Sequence, residues 1–346
     1  MSARKVEAEI SAPHPRETST LSGHREAETA LLNAYKSGRI PHAWLIGGGQ
    51  GIGKATLAYR MARFVLTHRD PLSASVQRAE TLAVDPSGPV ARHVASGSHG
   101  GLLTLERTLN EKGVMRTVIT VDETRETISF FGSTAAVEGW RVCIVDTVDE
   151  LNPNAANALL KVLEEPPQQS LFLLISHAPA RVLPTIQSRC RKLALRPLAA
   201  EDVIDAAAQA AGLALDDPAL AEAGAASEGS VARTLTLMGG DALKLQQRTA
   251  ALLAMLPQVD PRELHALGDA LGTSDRVALS AFVDSIDRWV AERLRIGNAN
   301  ANLPRLARLA EVWEKIARAA RDTQDYNLER KPLVFSVFSM LADATR

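Results

Sequence analysis

Residues 43–66 read AWLIGGGQGIGKATLAYRMARFVL. The run Ala43-Trp44-Leu45-Ile46 suits a short buried strand of a parallel sheet. Beyond Lys54, Leu57, Met61, Phe64 and Val65 recur at helical spacing. Between the two lies Gly48-Gly49-Gln50-Gly51-Ile52-Gly53-Lys54-Ala55. It meets the phosphate-binding pattern G-x-x-x-x-G-K-[ST] at Gly48, Gly53 and Lys54, and departs from it at Ala55. Strand, glycine turn and helix in that order is the setting such a loop requires, and it predicts an α/β fold.

Each position of the pattern has a task. Glycines let backbone N–H groups face phosphate oxygens, and the helix that follows presents its positive end to them. The lysine neutralises phosphate charge, and the final hydroxyl ligates Mg²⁺. Here the cradle and the lysine are kept and the hydroxyl is lost. Thr56 comes one residue late, and a helix step of about 100° turns it away from the metal's direction.

The rest of the composition is that of an ordinary globular chain: 346 residues, 46% hydrophobic and 23% charged. That length predicts two or three domains. A net charge of −1 gives no overall field to hold nucleic acid, though it leaves room for a local basic patch. The two cysteines, Cys143 and Cys190, exclude a disulfide framework and a four-cysteine zinc site. No signal peptide and no membrane-spanning apolar run is found, so the cytoplasm is expected.

Residues 1–20 are polar and contain prolines, which predicts a flexible arm. From 21 to 195, short β-like runs alternate with helical stretches. Residues 70–100, rich in Ser, Gly, Pro and Asp, read as an insertion after the first loop helix. Arg196-Pro197-Leu198 breaks the chain. A small helical unit is expected over 196–245, and an all-helical domain over 246–346.

Arg141-Val142-Cys143-Ile144-Val145-Asp146 predicts a second buried strand, with its carboxylate at the edge where α/β sheets bind ligands. Such an aspartate holds Mg²⁺ beside a phosphate loop. The next residue, where a second carboxylate would serve hydrolysis, is Thr147, and Asp149 and Glu150 fall beyond the strand. Asn152 is placed to cap a helix that has Pro153 in its first turn and stops at Pro166-Pro167. Leu171 to Ser176 form another buried strand with a polar end. Leu183-Pro184-Thr185-Ile186-Gln187-Ser188-Arg189-Cys190 follows.

LLKVLEEPP at 159–167 and LPTIQSRC at 183–190 together resemble the bacterial clamp-loader AAA+ family. That family comprises the tau/gamma ATPase and the delta-prime subunits of the DNA polymerase III holoenzyme. The resemblance implies a RecA-like α/β AAA+ domain at 21–195, a helical lid at 196–245, and an all-α collar domain at 246–346 through which subunits oligomerise. It implies that Arg189 is an arginine finger acting in trans on a neighbour's ATP. The nucleotide-binding set it implies is Gly48, Gly49, Gln50, Gly51, Ile52, Gly53, Lys54, Ala55, Thr56, Asp146, Ser176 and Arg233.

Three departures side with a delta-prime-like member. Ala55 and Thr147 replace hydrolytic groups. In Gly229-Ser230-Val231-Ala232-Arg233, the lid arginine stands one residue later than in the family's Gly-Ser-x-Arg. The expected function is therefore help in loading the sliding clamp on primed DNA, with ATP or ADP bound weakly and no ATPase of its own. Mg²⁺ is left open. The implied partners are tau/gamma and delta subunits in a hetero-pentamer, and no membrane. The alternative is a catalytically active, tau/gamma-like AAA+ ATPase. Many family members carry a four-cysteine zinc module in the insertion. This one retains only His93 and His99 there, so no metal site is expected.

Overall fold

The computed structural model describes residues 13–109, 116–132, 139–238, 242–273, 276–297, 303–326 and 328–345. They fall into two compact units, one within Ser11–Thr234 and one within Leu235–Arg346.

The first unit is built on a parallel sheet of β1 (Ala43–Gly47), β2 (Leu102–Glu106), β3 (Arg141–Asp146), β4 (Ser170–Ser176) and β5 (Arg191–Ala194), in the order β2-β3-β4-β1-β5. The central strands β1 and β4 are buried along their whole length, as near-continuous apolar runs require. Alternate residues feed two cores. Trp44, Ile46, Ile144, Leu173 and Ile175 pack with residues of α1 (Arg25–Lys36) and α2 (Lys54–Thr67). Leu45, Cys143, Val145, Phe172 and Leu174 pack on the other face with residues of α5 (Val121–Gly132) and α6 (Pro153–Glu164). Burying one such Leu, Ile or Val contributes about 1.5–3 kcal/mol.

Local signals act where they were expected. Asn152 caps α6, its Oδ1 accepting the Ala155 N–H at 2.8 Å, with Pro153 in the first turn. The helix ends at Glu164, one residue before Glu165 and Pro166-Pro167. The insertion forms α3 (Ala74–Arg78) and α4 (Pro89–Ala95), whose Val76 and Val94 join the α2 core. The short α7 (Pro184–Gln187) packs against α6. Within this unit, α8 (Ala200–Ala211) and α9 (Pro218–Ala226) pack together, and α10 (Val231–Met238) begins.

The second unit contains α11 (Ala242–Ala254), α12 (Pro261–Thr273), α13 (Arg276–Gly297), α14 (Leu303–Asp325) and α15 (Arg330–Thr345). Leu252, Leu267, Phe282, Ile286, Ile316 and Phe338 share its apolar core. The chain thus has the expected class, an α/β domain followed by helices. No helix among the described residues is long and apolar enough to cross a membrane.

Candidate functional site

Register brings the candidate residues to one sheet edge. Gly47 pairs with Ser176, and Asp146 pairs with Ile175, so β1, β3 and β4 end level. The glycine turn leaves β1 there, its Gly48 N–H donating to the Ser176 carbonyl at 3.2 Å. Gly51 has φ +73°, where a side chain is strained, and a Cβ on it would lie 2.7 Å from Ala232 Cβ. The reason is the close approach of α10, whose Ala232 N–H donates to the Gly51 carbonyl at 3.4 Å. On the other side of the loop, His24 Nε2 lies 2.6 Å from the Ile52 carbonyl.

Lys54 opens α2 and is only 4% exposed. Its ammonium donates to the carbonyls of Gly48, at 2.8 Å, and of Gly49. Burial lowers its pKa to about 8, against the opposing pull of Asp146 and Asp149. Burial raises the Asp146 carboxyl, and Glu106, its partner across the β2–β3 pair, adds to the rise. A helix N-terminus, a glycine cradle and a buried lysine together make an anion site, so these residues fit a phosphate group.

The loop faces a cavity of about 490 Å³. Gln50, Gly51, Ile52, Gly53, Lys54, Ala55, Thr56 and Asp146 line it. Gly48, Gly49, Ser176, Arg233 and Arg189 are not on its wall. Ala232, one residue before Arg233, lines the cavity in its stead, and the Arg233 N–H donates to Ser230 Oγ at 3.3 Å. The wall is also formed by His177, by Ala206, Gln209 and Ala210 of α8, and by residues between 13 and 22. That segment is tied down by arginines of α2. Arg63 donates to the carbonyls of Arg16, at 2.9 Å, and of Thr18, while Arg60 donates to the Ser19 carbonyl at 2.5 Å. Thr20 Oγ1 donates to Gln209 Oε1 at 2.6 Å.

The side of the site that would hydrolyse is sparse. Ala55 offers no ligand, and Thr147, in the second-carboxylate position, is a buried hydroxyl without a hydrogen-bond partner. Asp149 is spoken for by β4: its oxygens accept from Ser176 Oγ at 2.8 Å and from the His177 N–H at 2.5 Å. Glu150 pairs with Arg107 at 2.9 Å. Asp146 is therefore the strand-end carboxylate on the cavity wall, with Glu17 of the 13–22 segment also lining it, and the fit for Mg²⁺ is poorer than for phosphate. Among the described residues no group of three or more His, Cys, Asp or Glu could hold a metal ion. In the insertion, His93 contacts Ser98 Oγ at 3.1 Å and His99 accepts the Gly101 N–H at 3.0 Å.

Arg189 follows α7. Its guanidinium is half-exposed and pairs with Glu164, at the end of α6, at 2.7 Å, and it also donates to the Thr185 carbonyl at 2.8 Å. Sequence reasoning missed His24, His177 and the 13–22 wall. Arg60 and Arg63, set among the apolar residues of α2, were a partial signal for the last of these.

A protein named DNA polymerase III subunit delta', from Pseudomonas aeruginosa, is 37% identical over 149 residues, which is 43% of this chain and 41% of the relative. The DNA polymerase III subunit tau of Escherichia coli is 27% identical over 281 residues, 78% of this chain and 40% of the relative. The chain thus spans about two-fifths of the length of these relatives. A solved DNA polymerase III gamma subunit-related protein from Thermotoga maritima aligns over 91% of this chain and 99% of its own, at 14% identity and a TM-score of 0.46. The family model described as DNA polymerase III, delta subunit, matches residues 23–199, just over half of the chain, and the chain belongs to that family.

Proposed function

We propose that this chain is a delta-prime-like subunit of a DNA polymerase III clamp loader, working in the cytoplasm. It accepts a nucleotide weakly and does not hydrolyse it. It helps load the sliding clamp on primed DNA by offering Arg189 to a neighbour's ATP. Its partners are tau/gamma and delta subunits in a hetero-pentamer, with 196–245 as lid and 246–346 as collar. One observation carries the reading. The cavity wall carries residues of the phosphate loop and Lys54 beside Ala55, Thr147 is buried off that wall, and Arg189 stands off the cavity in a half-exposed position. A fixed guanidinium that cannot serve its own site is suited to serve another's.

Binding and turnover by the isolated chain test this. Calorimetry should detect ADP and ATP on the wild type and lose both in Lys54→Ala, with no phosphate released. The second reading, an active ATPase, is favoured by the tau relative's longer match and by Thr56 on the cavity wall. A Mg²⁺-dependent kcat on the order of 1 s⁻¹, abolished by Thr56→Ala, would establish that reading instead.

A further inference from the structure

We infer that His24 is a positioning residue of the phosphate loop, holding its Gly53 N–H donor toward the cavity. The inference rests on the loop's reading as an anion site. Gly23 and His24 both have positive φ, 64° and 53°. His24 thus stands at the N-cap of α1 in a left-handed conformation, which is strained for a residue with a Cβ. Strain of this kind persists only where the surroundings fix it, and it clusters at functional sites. The surroundings here are specific. A Cβ on Gly23 would lie 3.1 Å from Asp202 Oδ2 and would run into the Leu198 side chain, so the turn is wedged against the start of α8.

The turn aims the imidazole at the loop. Nε2 lies 2.6 Å from the Ile52 carbonyl, and the ring edge lies 3.8 Å from the place a Gly53 Cβ would take. Burial favours the neutral ring, opposed by the hydrogen bond to Ile52 and by Asp202 and aided by the charge of Lys54. The neutral tautomer with hydrogen on Nε2 donates to the carbonyl. His24 does not line the cavity, whereas Ile52, Gly53 and Lys54 do. In a trans peptide the C=O and the next N–H point in opposite directions. Holding the Ile52 carbonyl toward His24 therefore sends the Gly53 N–H the other way, one residue before Lys54 opens α2.

The test uses the full chain with His24→Phe, which keeps a ring without the donor, and His24→Gln, which restores a donor of similar reach. Hydrogen–deuterium exchange of the peptide covering 48–56 is followed without ligand, and ADP affinity is measured separately. We expect His24→Phe to raise loop exchange and weaken ADP binding about 3- to 10-fold, the effect of one lost hydrogen bond. His24→Gln should recover most of both. Wild-type exchange and affinity in His24→Phe would overturn the assignment and leave His24 as packing. If the wild type binds no ADP, the anion-site reading fails, while loop exchange still decides the role of His24. If His24→Phe does not fold, His24→Asn replaces it: too short to reach the Ile52 carbonyl, it should exchange faster than His24→Gln, and equal rates would refute the inference.

Discussion

Gly51→Ala tests the packing of α10 on the phosphate loop. A Cβ at that position meets Ala232 Cβ at 2.7 Å and Ala232 N at 3.4 Å, and it runs into Ser230 Oγ. It must also adopt φ +73°. The left-handed conformation costs about 1–2 kcal/mol, and overpacking adds about 1–3 kcal/mol. Their sum, about 2–5 kcal/mol, lowers the Tm of a unit this size by about 4–20 °C. Gly49→Ala is the matched control, since the nearest atom to its Cβ is 3.9 Å away and its φ is not positive. Differential scanning calorimetry of both variants beside the wild type makes the comparison. A Gly51→Ala protein melting within about 1 °C of wild type, or a Gly49→Ala protein falling as far, would show that α10 does not press on the loop at Gly51.

Asn152→Ala removes the α6 cap bond to the Ala155 N–H and should cost about 1 kcal/mol, a Tm loss of about 2–4 °C; an unchanged melt contradicts this. Arg63→Ala frees the carbonyls of Arg16 and Thr18, so trypsin should cut after Arg16 about ten-fold faster, and equal rates would place the hold elsewhere. Lys54, lowered by burial to about 8, should bind ADP well below that pH and lose about ten-fold in affinity between pH 7 and 9. For folding the sign is opposite: the buried charge is a penalty below about pH 8 that is relieved up to the ordinary 10.5, where the unfolded chain holds more protons. A flat pH profile of ADP affinity in the wild type would remove Lys54 from the phosphate site.

The elements that fix their own geometry were readable in the residues. AWLIG and LFLLIS are apolar on both faces and became fully buried strands, and the turn between Gly47 and Lys54 followed from its glycines. Asn152-Pro153 and Pro166-Pro167 bounded α6 because cap and stop are local chemistry. The wall at 13–22 was not readable. It is held largely through its carbonyls, which every residue carries, and its side-chain contact from Thr20 reaches Gln209, 189 positions away. His24 was hidden for a similar reason: its partner is the backbone of Ile52, 28 positions away. The pairing of Ser176 with Asp149 joins two polar residues whose proximity depends on strand register rather than on spacing in the chain.

The role proposed for Arg189 is action on a neighbour's nucleotide. The most direct test measures DNA- and clamp-stimulated ATPase of a reconstituted loader containing this chain as wild type, Arg189→Ala or Arg189→Lys. Assembly is matched by gel filtration. The pair with Glu164 is half-exposed, so its loss should cost the fold no more than about 1 kcal/mol and leave assembly intact. A large fall in kcat is expected for Arg189→Ala, with poor rescue by lysine, whose ammonium lacks the planar fork. Equal ATPase and equal clamp loading by all three loaders would contradict it and assign Arg189 to its contacts with Glu164 and Thr185 alone.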